Sequence, residues 1–594
     1  MFLKCNRRRK DGKEHCYWSI VENRRCGGGR VVQRPVLYLG EINDGQREAW
    51  ARSIEAFDDD AGRPTQLRLF AAEGVPPAPS PDSVQVRLAD FVLRRPRQWG
   101  ACWLFSQLWE ELQLRAFWRE KLGCSREKTD WEHVLEALVA YRLIEPGSEW
   151  RLHRHWYAQS ALGDLLGEDE ALVAKDTLYR CLDLLLAHKT ALFSHLTKRW
   201  RDLFGVKFEV LLYDLTSTYF ESEPPADAQD KRRHGYSRDQ RADCVQLVIG
   251  LIVTPEGFPL AYEVLAGNTS DKTTLEAFLQ RIETQYGQAQ RVWVMDRGVP
   301  TEKVLEKMRQ HQPPIYYLVG TPKGRLSQFQ AALLEQDWQT VREGVEVKLV
   351  PQEGELYVLT RSQPRRQKER AMRRRQLKCL WQRLNDLQRM PRLSRDQLLL
   401  KLGAAKSQAP AAWRLVEVRL PSAEEPVNAE TFRFELCKER LREAIRREGG
   451  YLLRTNWTEQ RPAQLWTFYM QLSQVEEAFK NLKGDLAIRP IFHQKVARIE
   501  AHIFVAFLAY CLQVSLRHRL RLHAPGLTAR AVLEKFATLQ MLDVYFPTTD
   551  GRWLVFGRYT QPEKDLQLLL AKLQLRLPAQ SPPRISANGH LAAP

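Results

Sequence analysis

Ten cysteines are spread over 594 residues, and no two of them form a C-x-x-C pair. That excludes the common zinc ribbons and a dithiol redox motif. Cys5, Cys16 and Cys26 sit near His15, but their spacing fits no common zinc pattern, so they read as ordinary reduced thiols. There is no Walker A loop, no G-x-G-x-x-G and no H-E-x-x-H, and so no sign of a P-loop enzyme, a dinucleotide enzyme or a zincin. Gly27-Gly28-Gly29 reads as a turn between short strands. Long apolar runs are missing as well. The longest, Ile503 to Val514, is broken by Gln513 and is shorter than the ~18 residues a membrane span needs. The opening residues MFLKCNRRRK hold no apolar stretch of the kind a secretory signal requires. The expectation is a soluble, cytoplasmic protein with no membrane partner.

What the sequence has in excess is positive charge. Lys and Arg number 90 against 72 Asp and Glu, a net charge of +18, which calls for a polyanionic partner. Apolar residues at 44% and charged residues at 27% are ordinary globular usage, so the chain is not disordered, and its length allows about four domains. Three basic clusters stand out: Arg7 to Lys10, Arg365 to Arg375, and Arg517, Arg519 and Arg521. Each alone reads as a solvated face; together they make nucleic acid the leading partner class.

The pattern along the chain changes several times. Residues 1–60 read as a small β region, with Tyr17 to Val21 and Val36 to Leu39 as strands. Residues 61–89, with Pro76-Pro77-Ala78-Pro79-Ser80-Pro81, read as a linker. Residues 90–205 are helical in pattern and form a candidate DNA-binding domain. Trp103, Trp109 and Trp118 there read as helical core rather than base-stacking platforms. At 206 strands take over: Phe208 to Tyr213, a hairpin of Val245 to Val253 and Phe258 to Val264 across Thr254-Pro255-Glu256-Gly257, then Arg291 to Met295 and Ile315 to Val319. With helices at 273–285 and 301–310 they describe a mixed α/β sheet over 206–325. Residues 326–450 hold further strands and a long charged helix at 365–388. A strong helix spans about 461–483 within 451–545, and 546–594 is a C-terminal segment ending in a disordered tail from 575.

Two apolar strands lead into aspartates, Val210 to Tyr213 into Asp214 and Val292 to Met295 into Asp296. A strand buried on both faces has a near-continuous apolar run. A carboxylate there is costly unless something pairs with it, yet its strand end is where α/β sheets place ligands. Neighbouring carboxylates repel unless a divalent cation holds them ionised, and the hard cation suited to few carboxylates plus phosphate oxygens is Mg²⁺. On the 461–483 helix, Leu465, Phe468, Leu472, Val475, Phe479 and Leu482 are spaced 3, 4, 3, 4, 3 and mark one buried face. Tyr469, Glu476 and Lys483 form a second stripe roughly 70° away, which lets Glu476 look into a cleft, while Glu477, roughly 170° away, points to solvent. An i,i+4 ion pair from Glu476 to Lys480 is the competing reading.

Asp214-Leu215-Thr216-Ser217-Thr218-Tyr219-Phe220, Asp296-Arg297-Gly298 and Tyr469-x2-Leu472-x3-Glu476-x6-Lys483 resemble the D-D-E transposases of bacterial insertion sequences. Closest is the insertion-sequence-four class, with its Y-x2-R-x3-E-x6-K motif. Ala266 to Asp271 and Arg489-Pro490-Ile491-Phe492-His493 resemble segments of the same class. One departure is Leu472, which stands where the motif has Arg; Lys480 is the base expected to replace it.

The resemblance implies a ribonuclease-H-like core interrupted by a mainly β insertion. Asp214, Asp296 and Glu476 would be the catalytic acids and the ligands of Mg²⁺, for which Mn²⁺ can substitute. Tyr469, Lys480, Lys483, Arg297, Arg238 and His493 would contact DNA. Arg238 belongs to a basic loop that also holds Arg232, Arg233, His234, Tyr236 and Arg241. The implied activity is cleavage of transposon ends and joining of the 3′ ends to target DNA by two-metal chemistry. The partners would be terminal inverted repeats, target DNA and a second subunit, in a cytoplasmic, nucleoid-associated protein. The alternative is a metal-dependent nuclease or resolvase on the same fold without strand transfer.

Overall fold

Alternating apolar and polar residues at the start of the chain produce three antiparallel strands, β1 (Phe2–Lys10), β2 (Lys13–Arg25) and β3 (Val31–Gly40), in the order β1-β2-β3. Ile20, Val21, Val36, Leu37 and Leu39 are buried. The computed structural model describes residues 2–10, 13–25, 31–42, 46, 47, 50, 85–123, 129–227, 229–286, 291–322, 325, 328, 329, 338–422, 424–458 and 461–586. The linker expected at 61–89 lies outside the described residues as far as 84, as do Cys26 and Gly27 to Gly29.

By its internal contacts the chain forms two units. One comprises Met1–Lys207, Thr216–Asn268 and Glu476–Pro594; the other comprises Phe208–Leu215 and Thr269–Val475.

In the first unit the helical region expected from residue 90 begins instead with a strand, β4 (Val92–Gln98). Pro96 cannot sit in a helix interior. Arg97, buried within this strand, is held by Asp164 at 2.7 Å and Asp543 at 2.9 Å. Helices Gly100–Glu111, Leu114–Leu122, Trp131–Ile144, Lys175–Leu185 and Lys189–Phe204 follow. Trp103, Trp109 and Trp118 are buried among them, as helical spacing predicts. The centre of this core is the helix Val496–His523. It is long and apolar enough to cross a membrane, yet nearly all of that stretch is buried in the protein, against Trp131–Ile144 and Lys175–Leu185.

Strand β5 (Val210–Phe220) begins in the second unit and ends in the first. In the first unit, β6 (Val245–Val253) and β7 (Pro259–Ala266) form the expected antiparallel hairpin and continue the order β5-β6-β7. Gly257 closes its turn with a φ of +97°, which favours glycine.

The second unit adds β8 (Val292–Met295), β9 (Tyr316–Gly320), β10 (Gln339–Arg342), β11 (Val345–Gln352), β12 (Glu355–Ser362), β13 (Val416–Arg419), β14 (Arg433–Leu436) and β15 (Gly450–Thr455). Its sheet runs β10-β11-β12-β15-β9-β8-β5, parallel across β5, β8 and β9 and antiparallel from β9 to β10. This is the mixed α/β core the sequence predicts. Buried Arg454 of β15 reaches exposed Glu302 at 2.7 Å and buried Glu355 of β12 at 2.6 Å.

The insertion, expected as mainly β, carries more helix than strand, in Gln363–Arg389, Arg395–Gln408 and Lys438–Arg447. The first two enclose a small core of Leu380, Leu384, Leu387, Leu398 and Leu402 beside Phe432. Its short hairpin β13-β14 was legible as alternation; the helix 395–408 was not, because its apolar stripe is thin.

The first unit closes with β16 (Gln540–Pro547), β17 (Trp553–Tyr559) and β18 (Arg584–Ser586), in the order β18-β17-β16-β4. The tail expected to be disordered from 575 is therefore structured to Ser586, because backbone groups of 584–586 pair with β17. Residues 587–594 lie outside the described residues.

Candidate active site

Strands β5 and β8 pair in parallel, Val210 with Val292 through Tyr213 with Met295. One step further along that register stand Asp214 and Asp296. Paired residues on adjacent strands lie about 4.8 Å apart, and the register sets Asp214 and Asp296 one step past the last pair, at the edge where β8 ends. The surroundings differ. β8 ends at Met295, and Asp296 is exposed in the turn that follows, where its Oδ1 accepts a bond from the backbone N–H of Arg297 at 2.7 Å. Asp214 was expected at a strand end, but β5 runs on to Phe220 and leaves Asp214 half-buried in mid-strand. Thr216, Ser217 and Thr218 beyond it are buried, and the β-branched Thr216 and Thr218 suit a long strand.

Tyr469 comes to this edge from the helix Pro462–Met470. Its hydroxyl donates to Asp296 Oδ1 at 3.4 Å. Burial, reinforced by the negative charge of Asp296, pushes its phenol above the ordinary tyrosine range. Gly320, the last residue of β9, makes the approach possible: a Cβ there would stand 2.5 Å from the Tyr469 hydroxyl oxygen. Sequence reading missed Gly320, whose only signal is a glycine closing a buried strand. On the far side Tyr469 stacks on Tyr451 at 6.3 Å, and the Arg365 guanidinium lies over Tyr451 at 4.8 Å.

The helix predicted over 461–483 is two helices. Pro462–Met470 ends and Ser473–Lys483 begins around a turn at Gln471 and Leu472. There Leu472 N–H bonds to Tyr469 O, and Val475 N–H to Leu472 O, three-residue spacings that tighten the chain and reset its helical phase. Phe468 and Leu472 are therefore only half-buried, while Val475, Phe479 and Leu482 are core. Glu476 is exposed in the first turn of the second helix. Among the described residues neither it nor Lys480, also exposed, makes a salt bridge. Glu477 does not point freely to solvent as expected: it lies 2.9 Å from the guanidinium of Arg517, whose side chain is largely buried.

The basic candidates fare differently. Arg297 is exposed beside Asp296. Arg238 is half-buried, and its backbone N–H donates to Ser217 Oγ at 3.2 Å. Lys483 is clamped by Asp239, with Nζ 3.0 and 3.1 Å from its two oxygens, and Arg489 reaches the same carboxylate at 2.8 Å. Neither Asp239 nor Arg489 was assigned a role from sequence; an acid within Arg238-Asp239-Gln240-Arg241 was the available signal. Arg232 is structural, buried on Asp230 and Gln494.

His493, expected to contact DNA, is buried. Its Nε2 lies 3.2 Å from Glu149 Oε1, and His502 Nδ1 reaches the same oxygen at 3.2 Å. Burial works against the Glu149 charge, but hydrogen bonds from His493 and His502 outweigh it and hold the carboxyl well below its usual range. Arg142 approaches His502 Nδ1 at 3.4 Å and brings the compensating positive charge. This cluster and the trio Asp130, Glu132 and His133 could each hold an ion by geometry. A guanidinium already facing the first is poor company for a cation. The oxygen-only pair Asp214 and Asp296 suits a hard divalent cation better.

Comparison with known proteins adds sequence evidence. The transposase DDE domain family matches residues 206–512, and the N-terminal domain of IS1634 family transposases matches residues 3–65. The latter is not the insertion-sequence-four class expected from the Tyr469 motif. No curated protein matches the chain. Among solved structures, a cryo-EM structure of the piggyBac transposase synaptic complex with hairpin DNA is similar over 74% of this chain and 78% of its own. At 10% identity and a TM-score of 0.32, that similarity is too slight to carry an argument.

Proposed function

The chain belongs to the transposase DDE domain family, and from that premise we propose that it is a DNA transposase that cleaves the ends of its insertion sequence and joins the 3′ ends to target DNA. The observation that carries the proposal is the placement of Asp214 and Asp296 one register step beyond the paired residues of β5 and β8, inside the matched domain. Asp214 and Asp296 would hold Mg²⁺, or Mn²⁺ in its place, with Glu476 as the third ligand. When bound, the metal pair supplies activation of water or a 3′-hydroxyl and stabilisation of the leaving oxygen. Tyr469 holds the Asp296 carboxylate in orientation through its hydroxyl. Arg297, Arg238, Lys480 and Lys483 neutralise backbone phosphates near the scissile bond; His493 has no part in this, being buried on Glu149.

The match of residues 3–65 to a transposase N-terminal domain favours transposition over hydrolysis alone. Tyr469, Glu476 and Lys483 support the insertion-sequence-four class, from which Leu472 and the N-terminal match depart. A homodimer bridging both transposon ends, in a cytoplasmic, nucleoid-associated protein, belongs to the same reading.

The test is cleavage and joining of a labelled transposon-end duplex. Wild type with Mg²⁺ should yield 3′-hydroxyl ends and then joined products, and chelation should leave binding without cleavage. Asp214→Asn and Asp296→Asn should each bind and fail to cleave. Undiminished cleavage by Asp296→Asn overturns the assignment, and cleavage without any joining to target reduces the protein to a nuclease.

A further inference from the structure

Within the first unit, two cations share one carboxylate. Asp239 spends both oxygens on Lys483 and Arg489, and all three side chains are between 17% and 24% exposed. The Arg489 guanidinium lies over the Tyr219 ring at 4.6 Å, and Arg241 lies over the same ring at 4.8 Å. Arg241 has acids of its own, Glu221 at 2.8 Å and Asp243 at 2.9 Å. Lys483 and Arg489 are thus left with one positive charge in excess of Asp239. Burial disfavours the Lys483 ammonium, Asp239 supports it, and the charges of Arg489 and Arg238 oppose it again. A half-buried site with surplus positive charge is built for an anion.

The elements carrying these groups differ in kind. Lys483 ends the helix Ser473–Lys483 and Arg489 follows six residues later. Asp239 comes from the irregular segment between β5 and β6, just before Gln240, whose φ is +59°. Lys483 sits on a helix end, whereas Arg489 and the carboxylate of Asp239 lie in irregular segments. A carboxylate held by an ammonium and a guanidinium presents the same charge and the same acceptor oxygens as a phosphodiester.

We propose that Lys483 and Arg489 form a subsite for one backbone phosphate of DNA, and that Asp239 occupies it in the DNA-free protein as an internal competitor that the phosphate displaces. The proposal rests on the DNA-processing function above. It makes Asp239 a brake: a phosphate that cannot displace it gains nothing from Lys483.

The experiment measures binding of a fluorescent transposon-end duplex by anisotropy, without divalent ions. It compares wild type, Asp239→Asn, Lys483→Gln, the double variant, and Glu223→Gln as an exposed acid of the same segment with the same charge change. Asp239→Asn should bind about tenfold tighter, since a charged hydrogen-bond competitor is gone. The gain should shrink in the Lys483→Gln background, and Glu223→Gln should show little of it. Thermal melting of Asp239→Asn at or below wild type excludes better folding as the source of the gain. Weaker or unchanged binding by Asp239→Asn means that the carboxylate positions the two cations rather than competes for them, and overturns the brake. An equal gain in Glu223→Gln also overturns it, as net charge alone. Absence of duplex binding by both wild type and Asp239→Asn instead overturns the DNA-processing function itself.

Discussion

Gly320→Ala probes the contact that delivers Tyr469 to Asp296. The added methyl would stand 2.5 Å from the Tyr469 hydroxyl oxygen, 3.3 Å from Cζ and 3.4 Å from the Arg297 backbone nitrogen. Non-bonded heavy atoms rest at roughly 3.5 Å, so the hydroxyl must retreat by about 1 Å. The bond to Asp296 is already 3.4 Å long and does not survive such a move. Tyr469 cannot swing away freely, because its half-buried ring is stacked on Tyr451. Overpacking of this kind costs ~1–3 kcal/mol, and the lost hydrogen bond is worth ~0.5–1.5 kcal/mol. Tyr469→Phe removes the nearest atom and leaves Cζ at 3.3 Å, a contact relieved by a shift of a few tenths of an ångström. The two changes together should therefore cost less than their sum, with a coupling of ~1–2 kcal/mol. Urea unfolding of the four proteins of this cycle supplies the coupling, and cleavage of end DNA reports whether Asp296 has lost its orientation. If Gly320→Ala costs as much in the Tyr469→Phe background as in wild type, the clash lies elsewhere and Gly320 does not place Tyr469.

Adjacent glutamates should separate activity from stability. Glu476→Gln, at an exposed position, should leave the melting temperature unchanged and abolish cleavage; Glu477→Gln should keep cleavage within a few-fold of wild type and lose about 1 kcal/mol through its partly exposed contact with Arg517. A dead Glu477→Gln protein with normal folding would reverse the assignment. The contribution of Glu136 to stability should fall as pH rises from about 4.5 toward 9. Burial pushes the Glu136 carboxyl up to about 9 despite Arg115, so the folded chain keeps a proton there that the unfolded chain has released. Glu136→Gln should flatten that slope in denaturant titrations at pH 5 and 8, and parallel slopes would refute the shift. DNA affinity should drop about 10³–10⁵-fold between 50 and 200 mM salt if roughly 6–10 phosphates are contacted, and a salt-independent isotherm would remove the electrostatic reading.

Strand patterning carried most of the core. Val210 to Tyr213, Val245 to Val253 and Val292 to Met295 are apolar runs that can only be buried, and each became a strand. Asp214 and Asp296 were visible because a charge after such a run is conspicuous. Periodicity failed at Gln471 and Leu472, where nothing local marks a break: Leu472 continues the apolar spacing, and only the hydrogen bonds show the phase being reset. His493 was misread because one sequence position says nothing of a partner 344 residues away, and Glu149 is the partner that holds it inside. β4 was hidden for a similar reason. Its Arg-rich sequence has little apolar character, and its place is set by Asp164 and Asp543 acting on Arg97.

The helix Val496–His523 has a consequence for how the protein is made. Trp131–Ile144 packs against it, yet leaves the ribosome about 380 residues earlier. At roughly 5–20 residues per second, that helix waits about 20–75 s for its partner. Through that interval the side of Trp131–Ile144 that meets Val496–His523 in the finished protein lacks its cover, and nascent chains of this kind expose apolar surface to aggregation. A copy of the coding region truncated before Val496 would leave the helical region without its central element. Such decayed copies should yield chains that are degraded, not stable DNA-binding fragments that compete with the intact protein.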